Sequence, residues 1–238
     1  MRVSPVRYGG IFAAGEGSRL AARYPSVPKP LVPVAGKPLI HWAVAALRSA
    51  GVRRLTVLLN SRGGGVRDYL RAEGQGLEIS FLSRDTASSY ESFRLLSRTL
   101  ARKAARFLLS TADTILAPED AARFAREAFA PGAAAGLALT RFVDDEKPLW
   151  AELGRDGFVK ALGPAAARDA VTCGLYAFTA RAARRFPEAR AYGRLRDFLA
   201  DMVRSGAPVK GVLLSEALDV DRPEDVAAAE ERSAWYAA

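Results

Sequence analysis

A short apolar run that stops on two glycines, then a loop that prolines keep from becoming helix, sets the tightest limit on how this chain can fold. The run is Gly10-Ile11-Phe12-Ala13-Ala14, the glycines are Gly15 and Gly17, and Pro25, Pro28, Pro30 and Pro33 punctuate the stretch beyond them. Proline has no amide hydrogen and clashes with the preceding turn, so no long helix crosses this segment. A strand must hand over to an extended loop. Gly15 and Gly17 lack a Cβ, so the backbone can turn sharply there and bring N–H groups close to an anion. Arg19 adds a planar fork suited to phosphate oxygens, and Lys29 a mobile point charge. Residues 14–19 and Lys29, among them Ala14 and Ser18, form a candidate polyphosphate cradle.

The Gly-x-Gly spacing also opens the dinucleotide fingerprint. That pattern needs a third small residue three positions on, a helix opening directly from the glycines, and an acid about twenty residues later. Leu20 stands at the third position, the prolines exclude the helix, and the region from Ala35 to Lys37 holds no acid. A nicotinamide or flavin site is a poor reading. The bland reading is a strand-to-loop turn with solvated basic residues, and Arg19 and Lys29 at fixed places beyond the glycines weigh against it.

Other chemistries fall to residue counts. Cys173 is the only cysteine, so it makes no internal disulfide and no thiolate metal cluster. His41 is the only histidine and precedes Trp42 in an apparent helix, which argues for a helix-face residue. Serine-protease-like and zinc-hydrolase sites are thereby nearly excluded. The formal net charge is +9, carried mostly by arginines scattered along alanine-rich segments. They neither gather into a basic arm nor alternate with aromatics, so a nucleic-acid partner is not expected, though the excess would concentrate anionic substrates. No apolar run approaches the roughly 18 residues a membrane span needs, and no signal-peptide core opens the chain. A cytoplasmic protein with no membrane partner is expected. Homo-oligomerisation is left open.

Short apolar runs alternate with amphipathic segments, which argues for an α/β sheet with helices on both faces. Strands are expected at 8–14, 55–60, 77–83, 107–111 and 136–142, then at 150–153, 158–162, 171–178 and 209–214. Helices are expected from Pro38, to about Ala72, from Ser88 with a Ser88–Glu91 capping box, from Pro118, at 179–186 and 193–205, and from Pro223. No repeat or linker divides the 238 residues, so one domain is expected, with a nucleotide-binding half to about 130 and an acceptor-binding half beyond.

The run Ala13-Ala14-Gly15-Glu16-Gly17-Ser18-Arg19-Leu20, followed by Pro28-Lys29-Pro30-Leu31-Val32-Pro33-Val34-Ala35-Gly36-Lys37-Pro38-Leu39, resembles the signature of the sugar-1-phosphate nucleotidyltransferase family. The resemblance implies a doubly wound, mostly parallel sheet, Rossmann-like and of the glycosyltransferase-A-like three-layer α/β/α kind. It implies transfer of a nucleoside monophosphate from a nucleoside triphosphate to a sugar-1-phosphate or similar polyol phosphate, with release of pyrophosphate. The glycine loop, Arg19 and Lys29 would hold the triphosphate.

Such a transfer needs a divalent cation with hard oxygen ligands, here Mg2+. Asp113 lies just past the fourth strand, where a doubly wound sheet places its ligands. In Asp219-Val220-Asp221-Arg222-Pro223-Glu224-Asp225, extended backbone would turn Asp219 and Asp221 to one side. An aspartate before a Pro-initiated helix also commonly serves the helix N-terminus. The resemblance selects Asp113 and Asp221 as metal ligands, with Asp219 second choice, although Ala112 and Arg222 replace the family's glycine and threonine. It places Thr86 and Ala87 near base or ribose, with Asp85 where a glycine is usual. Gly174 would back the sugar, and Lys147 would meet the sugar phosphate, with Lys160 as its rival. Similar loops also serve phosphocholine, inositol phosphate and molybdenum-cofactor acceptors, and a nucleotide-binding regulator without turnover is the other reading.

Overall fold

The computed structural model describes residues 5–14, 19–142 and 148–236. Its first half runs β1 (Tyr8–Ala13), a hairpin of β2 (Pro33–Val34) and β3 (Lys37–Pro38), α1 (Leu39–Ser49), β4 (Arg54–Leu59), α2 (Gly64–Ala72), β5 (Glu78–Ser83), α3 (Ser89–Ala101), β6 (Arg106–Thr111), β7 (Thr114–Ile115) and α4 (Pro118–Glu127). The second half runs β8 (Ala135–Thr140), β9 (Trp150–Leu153), β10 (Val159–Leu162), β11 (Ala170–Thr179), α5 (Ala180–Ala183), α6 (Leu195–Arg204), β12 (Val209–Leu213), β13 (Leu218–Asp219), α7 (Pro223–Glu231) and α8 (Ser233–Tyr236).

Among the described residues, nine strands make one mixed sheet. β5, β4, β1 and β6 lie side by side and parallel, so their carboxyl ends share one edge. β11 runs antiparallel to β6 and, on its other side, to β8, beyond which β12 lies parallel to β8. The β9–β10 hairpin joins the start of β11. The expected parallel, doubly wound order thus holds through β6. Beyond it the short segments with tight glycine turns supply no crossover helix between β9, β10 and β11, and those strands pair antiparallel.

Helices cover both faces. Ile40, Val44 and Leu47 of α1, Val66 and Leu70 of α2 and Phe124 of α4 pack with Ile11 and Val57 on one side. Phe93, Leu96 and Leu100 of α3 pack with Phe186, Phe198, Leu109 and Leu137 on the other. Gly10 is what lets α3 sit so close to β1, because a Cβ there would lie 2.8 Å from Leu96. Ser88 caps α3 by accepting from the Glu91 N–H at 3.0 Å. The return bond differs from a capping box, since Glu91 accepts from the Ala87 N–H, one residue outside the cap. Among the described residues no helix is long and apolar enough to cross a membrane.

A third apolar cluster positions the site. Leu20, Val32, Val34, Leu39 and Trp42 from the proline loop and α1 pack with Ile115, Leu218, Val220 and Val226. This contact brings segments some 200 residues apart onto the same edge of the sheet.

Candidate active site

Lys29 is the side chain on which the site converges. It opens a short 3-10 turn, Lys29–Leu31, between Pro28 and Pro30, and it is only 9% exposed. A lysine is rarely that buried without partners. Its Nζ donates to Asp113 Oδ2 and to Asp221 Oδ1. Burial works against its charge, but the two carboxylates outweigh that and hold the ammonium above its usual range. Burial likewise opposes ionisation of Asp113, and the Lys29 charge prevails, holding that carboxyl below the ordinary carboxylate value.

The two aspartates meet because of a ladder only two residues long. β7 and β13 pair Thr114 with Asp219 and Ile115 with Leu218, and the Val220 N–H donates to the Asp113 carbonyl at 3.0 Å. Arg19 stands over the pair, its Nη1 3.3 Å from Asp221 Oδ2, with its side chain 58% exposed and available to a ligand. Ala14 directly follows β1, its carbonyl accepting from Asn60 Nδ2 at 3.0 Å, and is not among the walls of the cleft. Gly15, Gly17, Ser18 and Lys147 lie outside the described residues.

A cleft of about 500 Å³ opens from this acid-and-base cluster towards α6. Its walls include Arg19, Asp113, Asp221, Gly174, Tyr176 and Arg194. Gly174 faces the Thr111 and Thr114 hydroxyls, which are 2.7 Å apart, and a Cβ there would lie 2.1 and 2.2 Å from them. Thr114 also donates to Asp219. Asp219 opens onto the cleft, yet its carboxyl is pushed up to about 7, first by the protein packed round it and then by the Asp113 charge. The far end of the cleft is basic, with Arg194 and Arg196 in its walls and Arg194 bound to both oxygens of Asp197 at 2.9 and 3.0 Å.

Asp113, Asp221, Arg19, Gly174 and Asp219 therefore line one cleft, and Lys29 is joined to it through its bonds to Asp113 and Asp221. Thr86 and Ala87 lie in the loop entering α3, where Thr86 hydrogen-bonds Ser92 at 2.5 Å, and they are not among the cleft's walls. Lys160 is exposed on β10 and also lies outside them. His41 is bonded to Tyr69 at 2.9 Å, away from the cleft, as a helix-face residue should be. Sequence reasoning missed the Thr111–Thr114 pair, Arg194 and Arg196. It also gave no role to Asp225, for which an acid at the third position of a Pro-initiated helix was the available signal.

The donor set suits a hard divalent cation. Two carboxylates from separate segments already point their oxygens at one positive centre, the Lys29 ammonium. Among the described residues no group of three or more His, Cys, Asp and Glu could hold a metal ion; two carboxylates leave the remaining ligands of a Mg2+ ion to phosphate or water.

The model of the MobA-like NTP transferase domain matches residues 9–205. A low-salt glycan biosynthesis nucleotidyltransferase, Agl11 of Haloferax volcanii, is 37% identical over 76 residues, 31% of this chain and 21% of that protein. A mannose-1-phosphate guanyltransferase of Gibberella zeae is 33% identical over 110 residues, 45% of this chain and 30% of that protein. The chain thus matches less than a third of the length of these curated relatives. Among solved structures, the inositol-1-phosphate CTP transferase from T. maritima superposes with a TM-score of 0.81 at 19% identity, covering 93% of this chain and 92% of that one.

Proposed function

This chain belongs to the MobA-like NTP transferase family, and on that premise we propose that it transfers a nucleoside monophosphate from a nucleoside triphosphate to a sugar-1-phosphate or similar polyol phosphate. The observation that carries the reading is the Lys29 ammonium clasped by Asp113 and Asp221, two acids in the wall of a cleft. Relatives named for glycan biosynthesis and for mannose-1-phosphate support a phosphorylated sugar as acceptor.

An oxygen of the acceptor phosphate attacks the α-phosphorus in line as the bond to pyrophosphate breaks. The nucleophile is already an anion, so the site needs no general base, in keeping with a single histidine bound elsewhere. Catalysis then reduces to positioning and neutralising charge. Arg19 and Lys29 supply cations to the triphosphate. Asp113 and Asp221 would hold Mg2+. When bound, that ion supplies charge neutralisation at the α-phosphate and the leaving group. Arg194 and Arg196 make the other end of the cleft suitable for an anionic acceptor.

The test is a pyrophosphate-release matrix of four nucleoside triphosphates against sugar, polyol, choline and inositol phosphates. Release confined to a sugar or polyol phosphate supports the proposal. Binding of triphosphate with no release from any acceptor would favour a regulator instead.

A further inference from the structure

We propose that Asp225 is a positioning residue for the cation site, acting by fixing the backbone that presents Asp221. This rests on reading Asp113 and Asp221 as a divalent-cation pair. Asp225 is 7% exposed and sits in the first turn of α7, where the helix dipole favours its charge. One of its oxygens, Oδ2, accepts from two successive amides, the Asp221 N–H at 2.8 Å and the Arg222 N–H at 2.7 Å. The other, Oδ1, accepts from Arg222 Nη2 at 3.1 Å. Pinning adjacent amides on a single oxygen fixes the turn between β13 and α7. The Asp221 side chain leaves that turn with both oxygens engaged, one by Lys29 and the other by Arg19.

The bond to the Arg222 N–H is the return half of an ordinary capping box, which alone would leave the site indifferent to its loss. The bond to the Asp221 N–H lies one residue outside the cap and reaches the amide of the proposed ligand itself. Loss of such supporting partners around metal ligands typically weakens metal affinity about 10–100-fold.

The test is titration of the full chain with Mn2+ alone, followed by proton relaxation enhancement, with circular dichroism to check folding. Asp225→Ala is expected to weaken Mn2+ binding about 10–100-fold. Asp225→Asn keeps an oxygen for the two amides but loses the charge that strengthens those bonds, and should lose a smaller, still measurable part of the affinity. Thr179→Ala removes the cap of α5, where the Ala182 N–H donates to Thr179 Oγ1 at 3.2 Å. It should lower the melting temperature with Mn2+ affinity unchanged. A folded Asp225→Ala that binds Mn2+ like the wild type overturns the inference. Should that variant not fold, wild-type affinity in Asp225→Asn overturns it. A wild type that binds no Mn2+ would reject the cation reading and this inference with it, whereas unchanged binding in the variants rejects this inference alone.

Discussion

Replacing Lys29 with methionine keeps most of its volume and removes the charge between Asp113 and Asp221. Taking one partner from a fully buried ion pair costs about 3–5 kcal/mol. Here the lysine is 9% exposed but the acids are 29% and 43% exposed, so water screens the stranded carboxylates. A loss of roughly 2 kcal/mol is the reasonable expectation. For a chain of this size that lowers the melting temperature by about 4–8 °C. The assay is thermal unfolding in EDTA and again in millimolar Mg2+. In EDTA the variant should melt below the wild type by that amount. In Mg2+ the gap should narrow, because a cation that prefers the folded state stabilises it by mass action, and in the wild type it must first displace the ammonium. Turnover should fall whatever the metal. A variant that melts with the wild type in EDTA, or a gap that Mg2+ leaves unchanged, would refute the shared-cation reasoning.

Asp113→Ala should stay folded while pyrophosphate release falls about 10²–10³-fold, and near-normal release would remove Asp113 from the site. Gly174→Ala drives a Cβ onto two hydroxyls 2.1 and 2.2 Å away. Overpacking of that kind costs about 1–3 kcal/mol in urea unfolding; an unchanged midpoint would show that the Thr111–Thr114 pair yields freely. Asp219 carries a pKa raised to about 7 in the fold. Its stability contribution is therefore complete below its unfolded value, near pH 4, and is lost as pH rises through 7. Asp219→Asn removes that loss, so the variant should gain on the wild type between pH 4 and 8. The gain is small because Asp219 opens to water, and a difference constant across that range would refute the shift.

Much of the site was legible because its chemistry is carried by contiguous residues. The apolar run to Ala14, the prolines around Lys29 and the acid past the fourth strand each announce themselves locally, and strands and helices followed their periodic patterns to within a few residues. What could not be read was how distant pieces meet. The β7–β13 ladder pairs Thr114 with Asp219 and has two residues on each side, too few to leave any periodicity. Yet it brings Asp113 and Asp221 to one ammonium. The buried role of Asp225 was hidden for the same reason, since an acid in a first turn is legible as a helix feature but its bond to the Asp221 amide depends on the turn's path. The antiparallel placement of β11 against β6 also depends on pairing between segments far apart in sequence.

The central claim is that Asp113 and Asp221 share one divalent cation in the wall of the cleft. Anomalous diffraction from crystals grown with Mn2+ and a nucleoside triphosphate tests it most directly. The account predicts a single strong peak about 2.1 Å from an oxygen of each aspartate, with Lys29 withdrawn from between them. A peak elsewhere, or Lys29 still clasped by both acids with the nucleotide bound, would contradict it.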